Sequence, residues 1–238
     1  MGSFFNVLIS RLPLKQSILF PGSHCVNCNR KIPFYQNIPI LSYIVLRGKC
    51  SKCGASIHWH HLVVEVVTPI LYIILFLQYG LTGILFYKYA LLFSLLIPIF
   101  FIDAYHQIIP HVLSIPILVL GFLFALVPGN DVGIVISVLT ALFVFCFLLL
   151  LAYGFEKIRG QEGLGGGDIW LLTGLAAYLG LQGIPFVFLM AAAMGIIYFL
   201  FFIRDTSKQF AFGTFIVLAA IIWTLVGGDY ILSLIPVW

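Results

Sequence analysis

Glu162-Gly163-Leu164-Gly165-Gly166-Gly167-Asp168 runs without a break into Ile169-Trp170-Leu171-Leu172, so glycines, a carboxylate and an apolar run meet in one stretch. A carboxylate at the edge of a run that enters lipid is expensive and calls for a reason. One reading is an aspartate N-cap after a flexible loop. The other is chemical: glycines let the backbone take positive φ and let another chain come close, so Asp168 is presented to a substrate. A second acid in the same kind of setting, Asp103, favours the chemical reading.

Working outward, composition fixes the solvent. With 62% hydrophobic and 8% charged residues and a mean hydropathy of +1.15, there is too little polar surface for a water-soluble domain. Apolar runs approach the roughly 20 residues that cross a hydrocarbon core as helix, without the alternation of barrel strands. The expected fold is therefore an all-α, polytopic integral membrane protein with about seven or eight transmembrane helices, and the lipid bilayer is its first partner. Spans are expected near 62–79, 85–103, 112–127, 132–153, 168–179, 184–203 and 211–226, with breaks at Gly80 and Gly83, Pro110, 128–131, the glycine stretch, Gly180 with Gly183, and Arg204-Asp205. Residues 1–11 read as a partial first transmembrane helix closed by Arg11.

Charge distribution sets the expected orientation. Arg11, Lys15, Arg30, Lys31, Arg47, Lys49 and Lys52 carry seven of the twelve basic charges and place residues 12–61 in the cytoplasm. Lys157 with Arg159, and Arg204 with Lys208, fall on the same side, while the loops at Asp131 and Gln182 carry no base. Lys88 alone disagrees, and is expected to snorkel from its helix end. Counting spans, the polar module, Asp103 and Asp168 share the cytoplasmic face of the membrane, and residues 62–238 form one transmembrane domain. The formal charge of +4 thus reports topology, and no nucleic-acid partner is expected.

Cys25-Val26-Asn27-Cys28 and Cys50-Ser51-Lys52-Cys53 are two knuckles separated by residues 29–49. Each presents two thiolates to one tetrahedral ion, and a small module with few core residues needs such a staple. Two disulfides are the alternative, disfavoured in a reducing compartment. His24, His58, His60 and His61 flank the module and are surplus to a zinc shell already completed by four thiolates. Cys146 lies in an apolar run and reads as a packing residue.

Only eight acids occur, and Asp103 ends the apolar run 94–102. Two carboxylates brought together do not both ionise readily, so one holds a proton while the other activates water, as in aspartic proteases. Glu65 is a third candidate, at the start of the span after the cysteine module. No Gly-x-Ser-x-Gly elbow exists, and the glycine stretch lacks the Gly-Lys-Ser/Thr ending of a phosphate loop.

On these residues the sequence resembles the bacterial type IV prepilin peptidase family, bifunctional leader peptidases and N-methyltransferases. The resemblance runs through Gly2-Ser3-Phe4-Phe5-Asn6-Val7, Arg11-Leu12-Pro13, both knuckles, Asn37-Ile38-Pro39-Ile40-Leu41-Ser42-Tyr43, Arg47-Gly48-Lys49-Cys50, Glu65, Asp103, the Gly-x-Gly-Asp of Gly165 to Asp168, and Phe210-Ala211-Phe212-Gly213. It implies that Asp103 and Asp168 are catalytic, that Gly165, Gly167 and Glu65 lie in substrate-binding positions, and that type IV prepilins or pseudopilins are cut after a glycine at the cytoplasmic surface. It further implies S-adenosylmethionine as donor for methylating the new amino terminus. The alternatives are a peptidase without methyl transfer and a non-enzymatic transporter or assembly scaffold. Two positions depart from the family pattern: His111 stands where an acid is usual, and Trp170 where lysine is frequent. The helix normally preceding Gly2-Ser3 is missing or shortened.

Overall fold

Apolar runs punctuated by glycine and proline become helices in the computed structural model, which describes residues 2–160, 163–202 and 211–226. Glu162, Arg204, Lys208 and Phe210 lie outside the described residues. The chain divides into two compact units, residues 1–77 and 78–238.

The first unit contains α1 (Gly2–Arg11), a 3-10 turn at Phe34–Gln36, the short α2 (Leu41–Val45) and most of α3 (His60–Tyr79). Gly2 is required where α1 meets α3: a Cβ there would lie 2.9 Å from the Glu65 Cα. Between the helices the chain is pinned locally. Arg11 is buried and donates from its guanidinium to the Ser17 carbonyl at 2.9 Å, and single antiparallel bridges pair His24 with Lys31 and Lys49 with Ser56.

The second unit contains α4 (Ile84–His106), α5 (His111–Ala125), α6 (Ile134–Arg159), α7 (Gly166–Phe202) and α8 (Phe212–Val226). α7 is central and packs on α5, α6 and α8, while α4 packs on α8 and α5. In lipid, close packing replaces the hydrophobic drive between helices, and small residues permit it. A Cβ on Gly121 of α5 would meet the Ala177 Cβ at 2.9 Å, and one on Gly174 of α7 would meet the Leu118 nitrogen at 3.1 Å. Ser137 of α6 adds a buried hydrogen bond to the Ala177 carbonyl at 2.7 Å.

α3, α4, α6 and α7 are long and apolar enough to cross a membrane, and α5 and α8 are apolar but shorter. The two spans expected over 168–179 and 184–203 occupy a single run, interrupted at Gly180, whose φ of 66° and ψ of −169° are non-helical. No loop separates the halves, because one residue able to adopt left-handed φ suffices for the break.

Lys88 does not snorkel. It is fully buried and ion-paired with Asp131 from the α5–α6 connection. The Tyr89 hydroxyl donates to the other Asp131 oxygen, and the Tyr178 hydroxyl donates to the Lys88 carbonyl at 3.0 Å. A cation placed inside a bundle is tolerable once paired and hydrogen-bonded, which a sequence count of loop charges does not register.

Candidate functional site

Asp103 stands one turn before the end of α4, 4% exposed. Its Oδ2 accepts from the Thr214 backbone N–H at 2.6 Å and from the Thr214 hydroxyl at 2.9 Å. Thr214 is the third residue of α8, where backbone amides have no helical acceptor and the helix dipole favours negative charge. The first turn of α8 thus serves as an anion cradle for Asp103. Gly213 makes the approach feasible, since a Cβ there would lie 3.0 Å from both Cγ and Oδ2 of Asp103.

Asp168 is the third residue of α7 rather than its cap, and its amide donates to the Gly165 carbonyl at 3.0 Å. The described glycines of the stretch do not have positive φ. Their missing side chains count for close approach instead. A Cβ on Gly165 would sit 3.0 Å from Asp168 Oδ2, and one on Gly167 would sit 2.8 Å from the Ile109 Cβ and 3.2 Å from its carbonyl. Ile109 in turn reaches Gly213, whose added Cβ would meet the Ile109 Cδ1 at 2.5 Å. One residue of the α4–α5 connection therefore lies against both the segment that carries Asp168 and the first turn of α8 that cradles Asp103, and the two carboxylates are near enough for the charge on one to act on the other. Asp168 Oδ1 is buried without a hydrogen-bond partner. The arrangement holds one carboxylate by two donors and leaves its neighbour open, which is what a two-carboxyl acid–base device needs.

His111 and Trp170, the two positions departing from the family pattern, face each other edge-on with ring centroids 6.4 Å apart, and Phe145 flanks Trp170 at 5.6 Å. The two changes belong to one contact, made two residues after Asp168.

In the first unit the four knuckle cysteines are free thiols whose sulfurs all lie within 4.8 Å of one another, with Cys25 Sγ and Cys53 Sγ 3.8 Å apart. Sulfurs at the corners of a tetrahedron around an ion bound at about 2.3 Å are separated by about 3.8 Å, so the set fits a metal ion. Each knuckle is closed by its own backbone: the Asn29 amide donates to the Cys25 carbonyl and the Gly54 amide to the Cys50 carbonyl. Amides of Cys53 and Lys52 aimed at the Cys50 sulfur bring its thiol down to about 6, and the Ala55 amide lowers Cys53. At Cys28 the Arg30 amide also lowers the thiol, but desolvation and the other thiols outweigh it and push it up to about 11. A cation bound among them would relieve that conflict.

Glu65 belongs to this unit, whereas Asp103 and Asp168 belong to the other. Its Oε2 accepts from the Ile40 amide at 2.8 Å and its Oε1 lies 3.5 Å from the Asn6 Nδ2, which also donates to the His61 carbonyl at 3.1 Å. Ile40 has φ 66°, a costly conformation for a β-branched residue, and Glu65 holds it there. Thr214, Ile109 and the role of Asn6 escaped the reading of the sequence. A threonine at the third position of an apolar helix is a visible signal, but its acceptor lies 111 residues away.

Comparison with known proteins follows the same division. The model of the bacterial peptidase A24 N-terminal domain matches residues 1–79, and that of the type IV leader peptidase family matches residues 90–200. A prepilin leader peptidase/N-methyltransferase of Dichelobacter nodosus is 34% identical over 257 residues, spanning 96% of this chain and 89% of that protein. Proteins of the same name are 32% identical in Aeromonas hydrophila, over 94% of this chain and 87% of that protein, and 30% identical in Neisseria gonorrhoeae, over 90% and 82%. No solved structure matches the chain significantly. By extent and identity together, this chain belongs to the type IV leader peptidase family, as a relative of the prepilin leader peptidase/N-methyltransferases.

Proposed function

We propose that this protein cleaves the leader of type IV prepilins or pseudopilins after a glycine, at the cytoplasmic face of the bacterial inner membrane, and methylates the new amino terminus. What supports the proteolytic half is that Asp103, cradled by the first turn of α8, and Asp168, with a buried unpartnered oxygen, belong to segments that meet around Ile109. Asp103 acts as the base, because two donors on one oxygen suit it to carry negative charge; Asp168 holds the proton. Asp103 removes a proton from water as its oxygen bonds to the scissile carbonyl carbon, and Asp168 donates to the carbonyl oxygen. Collapse of the tetrahedral intermediate breaks the C–N bond as the proton taken up by Asp103 passes to the leaving amine and a hydroxyl proton of the intermediate returns to Asp168, restoring both acids. Gly165 leaves Asp168 Oδ2 uncovered for the substrate backbone, and Gly167 serves the site by letting Ile109 pack against the start of α7.

The finer architecture belongs to the same proposal. Seven or eight spans are counted if α1, α5, α8 and the two halves of α7 each cross or enter the bilayer. Residues 1–11 then form a partial first helix, 12–61 a cytoplasmic module stapled by Zn²⁺ on Cys25, Cys28, Cys50 and Cys53, and 62–238 the transmembrane peptidase. S-adenosylmethionine is the methyl donor and supplies a methyl group on a sulfonium.

Purified protein in liposomes, given a prepilin and methyl-labelled S-adenosylmethionine, tests the whole reading. The expected result is a shortened pilin carrying label at its amino terminus. Cleavage without label removes the methyltransferase half, and an uncut prepilin removes the peptidase half.

A further inference from the structure

The first unit forms a partly open cavity of about 650 Å³, lined by its own residues. That volume falls inside the about 300–1,000 Å³ typical of small-molecule sites. Its walls differ in chemistry. Asn6 and Glu65, from α1 and α3, present acceptors, while Arg30 and Lys31, next to the first knuckle, present cations. Tyr43 and Ile38 supply an aromatic and an apolar surface.

Asn6 is 7% exposed, and its Oδ1 has no hydrogen-bond partner. Its orientation is fixed, because its amide nitrogen faces two groups that only accept, the His61 carbonyl and the Glu65 carboxylate. The oxygen is therefore left for an external donor, and a buried acceptor without one is destabilising. Glu65 retains capacity on Oε1, whose one contact with Asn6 is long at 3.5 Å. The strained Ile40 is held against the other Glu65 oxygen, so the carboxylate is fixed in position before any ligand arrives.

We infer that this cavity binds the methyl donor, with Asn6 Oδ1 and Glu65 receiving hydroxyl donors of its ribose and Arg30 with Lys31 facing its carboxylate. The inference rests on the N-methyltransferase reading above. A dipolar ligand with hydroxyl donors at one end and an anion at the other matches the two walls. An amino-terminal peptide of processed pilin, which offers an ammonium but no anion nearby, matches only one.

Equilibrium binding of labelled S-adenosylhomocysteine to the full chain in nanodiscs tests the site. Asn6→Ala and Glu65→Gln are each expected to weaken binding at least about tenfold while retaining zinc. Ser10→Trp, which fills the cavity from an exposed position on α1 and breaks no bond between helices, is expected to do the same. Wild-type affinity in zinc-loaded Asn6→Ala, Glu65→Gln and Ser10→Trp overturns the site. So does a result in which these variants lose a processed-pilin peptide but keep S-adenosylhomocysteine. A wild-type chain that cleaves prepilin but binds no S-adenosylhomocysteine overturns the methyltransferase reading itself.

Discussion

The Asp103 carboxylate draws two hydrogen bonds from a residue more than a hundred positions away, and Gly213 is the reason they form. Its hydrogen leaves Asp103 Oδ2 in reach of the Thr214 amide at 2.6 Å. Gly213→Ala would place a methyl 3.0 Å from that carboxylate and force it to move. Leader cleavage is expected to fall about 10–100-fold, the cost of misplacing a reacting group by a fraction of an ångström to an ångström, while thermal unfolding changes little. A rate assay beside a melting curve checks this; unchanged cleavage would mean that the cradle does not position Asp103. The two aspartates and the four cysteines were legible in the sequence because each is an unusual chemical group in its surroundings. Thr214 and Asn6 were not, since a threonine or asparagine in a helix is ordinary until its distant partner is known. Asp168 was legible as an acid at a helix start, and the N-cap alternative drops out because the helix begins two residues earlier, on glycines with ordinary φ.

Elements follow the same logic. Apolar runs and their glycine or proline breaks marked α3 to α8 to within a few residues, and Gly180 was visible as a break, though not as one made by a single residue inside α7. Charge near a helix end was less informative. Lys88 at the start of α4 is buried against Asp131, so the ion pair ties the α5–α6 connection to α4. Lys88→Met leaves the Asp131 carboxylate without its cation. Because Asp131 is partly exposed, the expected destabilisation is about 1–3 kcal/mol rather than the larger cost of a fully buried pair. Thermal unfolding in detergent would read it, and adding Asp131→Asn should recover part of the loss; a Lys88→Met protein as stable as wild type contradicts the structural role. His111 and Trp170 read as two separate departures in the sequence, and only packing joins them into one aromatic contact.

At the scale of the molecule, the four-cysteine cluster with the acceptor-lined cavity and the two aspartates belong to different compact units. The sequence showed the polar module and the apolar remainder, since composition changes sharply near the start of α3. The cavity was not legible, because its walls come from segments scattered between Ser3 and Glu65. Removing zinc, by Cys50→Ser or a chelator, is expected to abolish methyl transfer, because the module loses its staple and the cavity its shape. Cleavage should fall less, since Asp103, Thr214 and Asp168 all lie in the second unit. Parallel methylation and cleavage assays on zinc-depleted protein would decide, and equal loss of both activities would contradict this division. The central claim concerns the dyad, whose halves come from α4 and α7. Prepilin cleavage by Asp103→Asn, Asp168→Asn and the double variant measures it most directly. Each single variant should lose at least about 1,000-fold and the double no more than either, as residues acting as a unit do; wild-type cleavage by either single variant would contradict it.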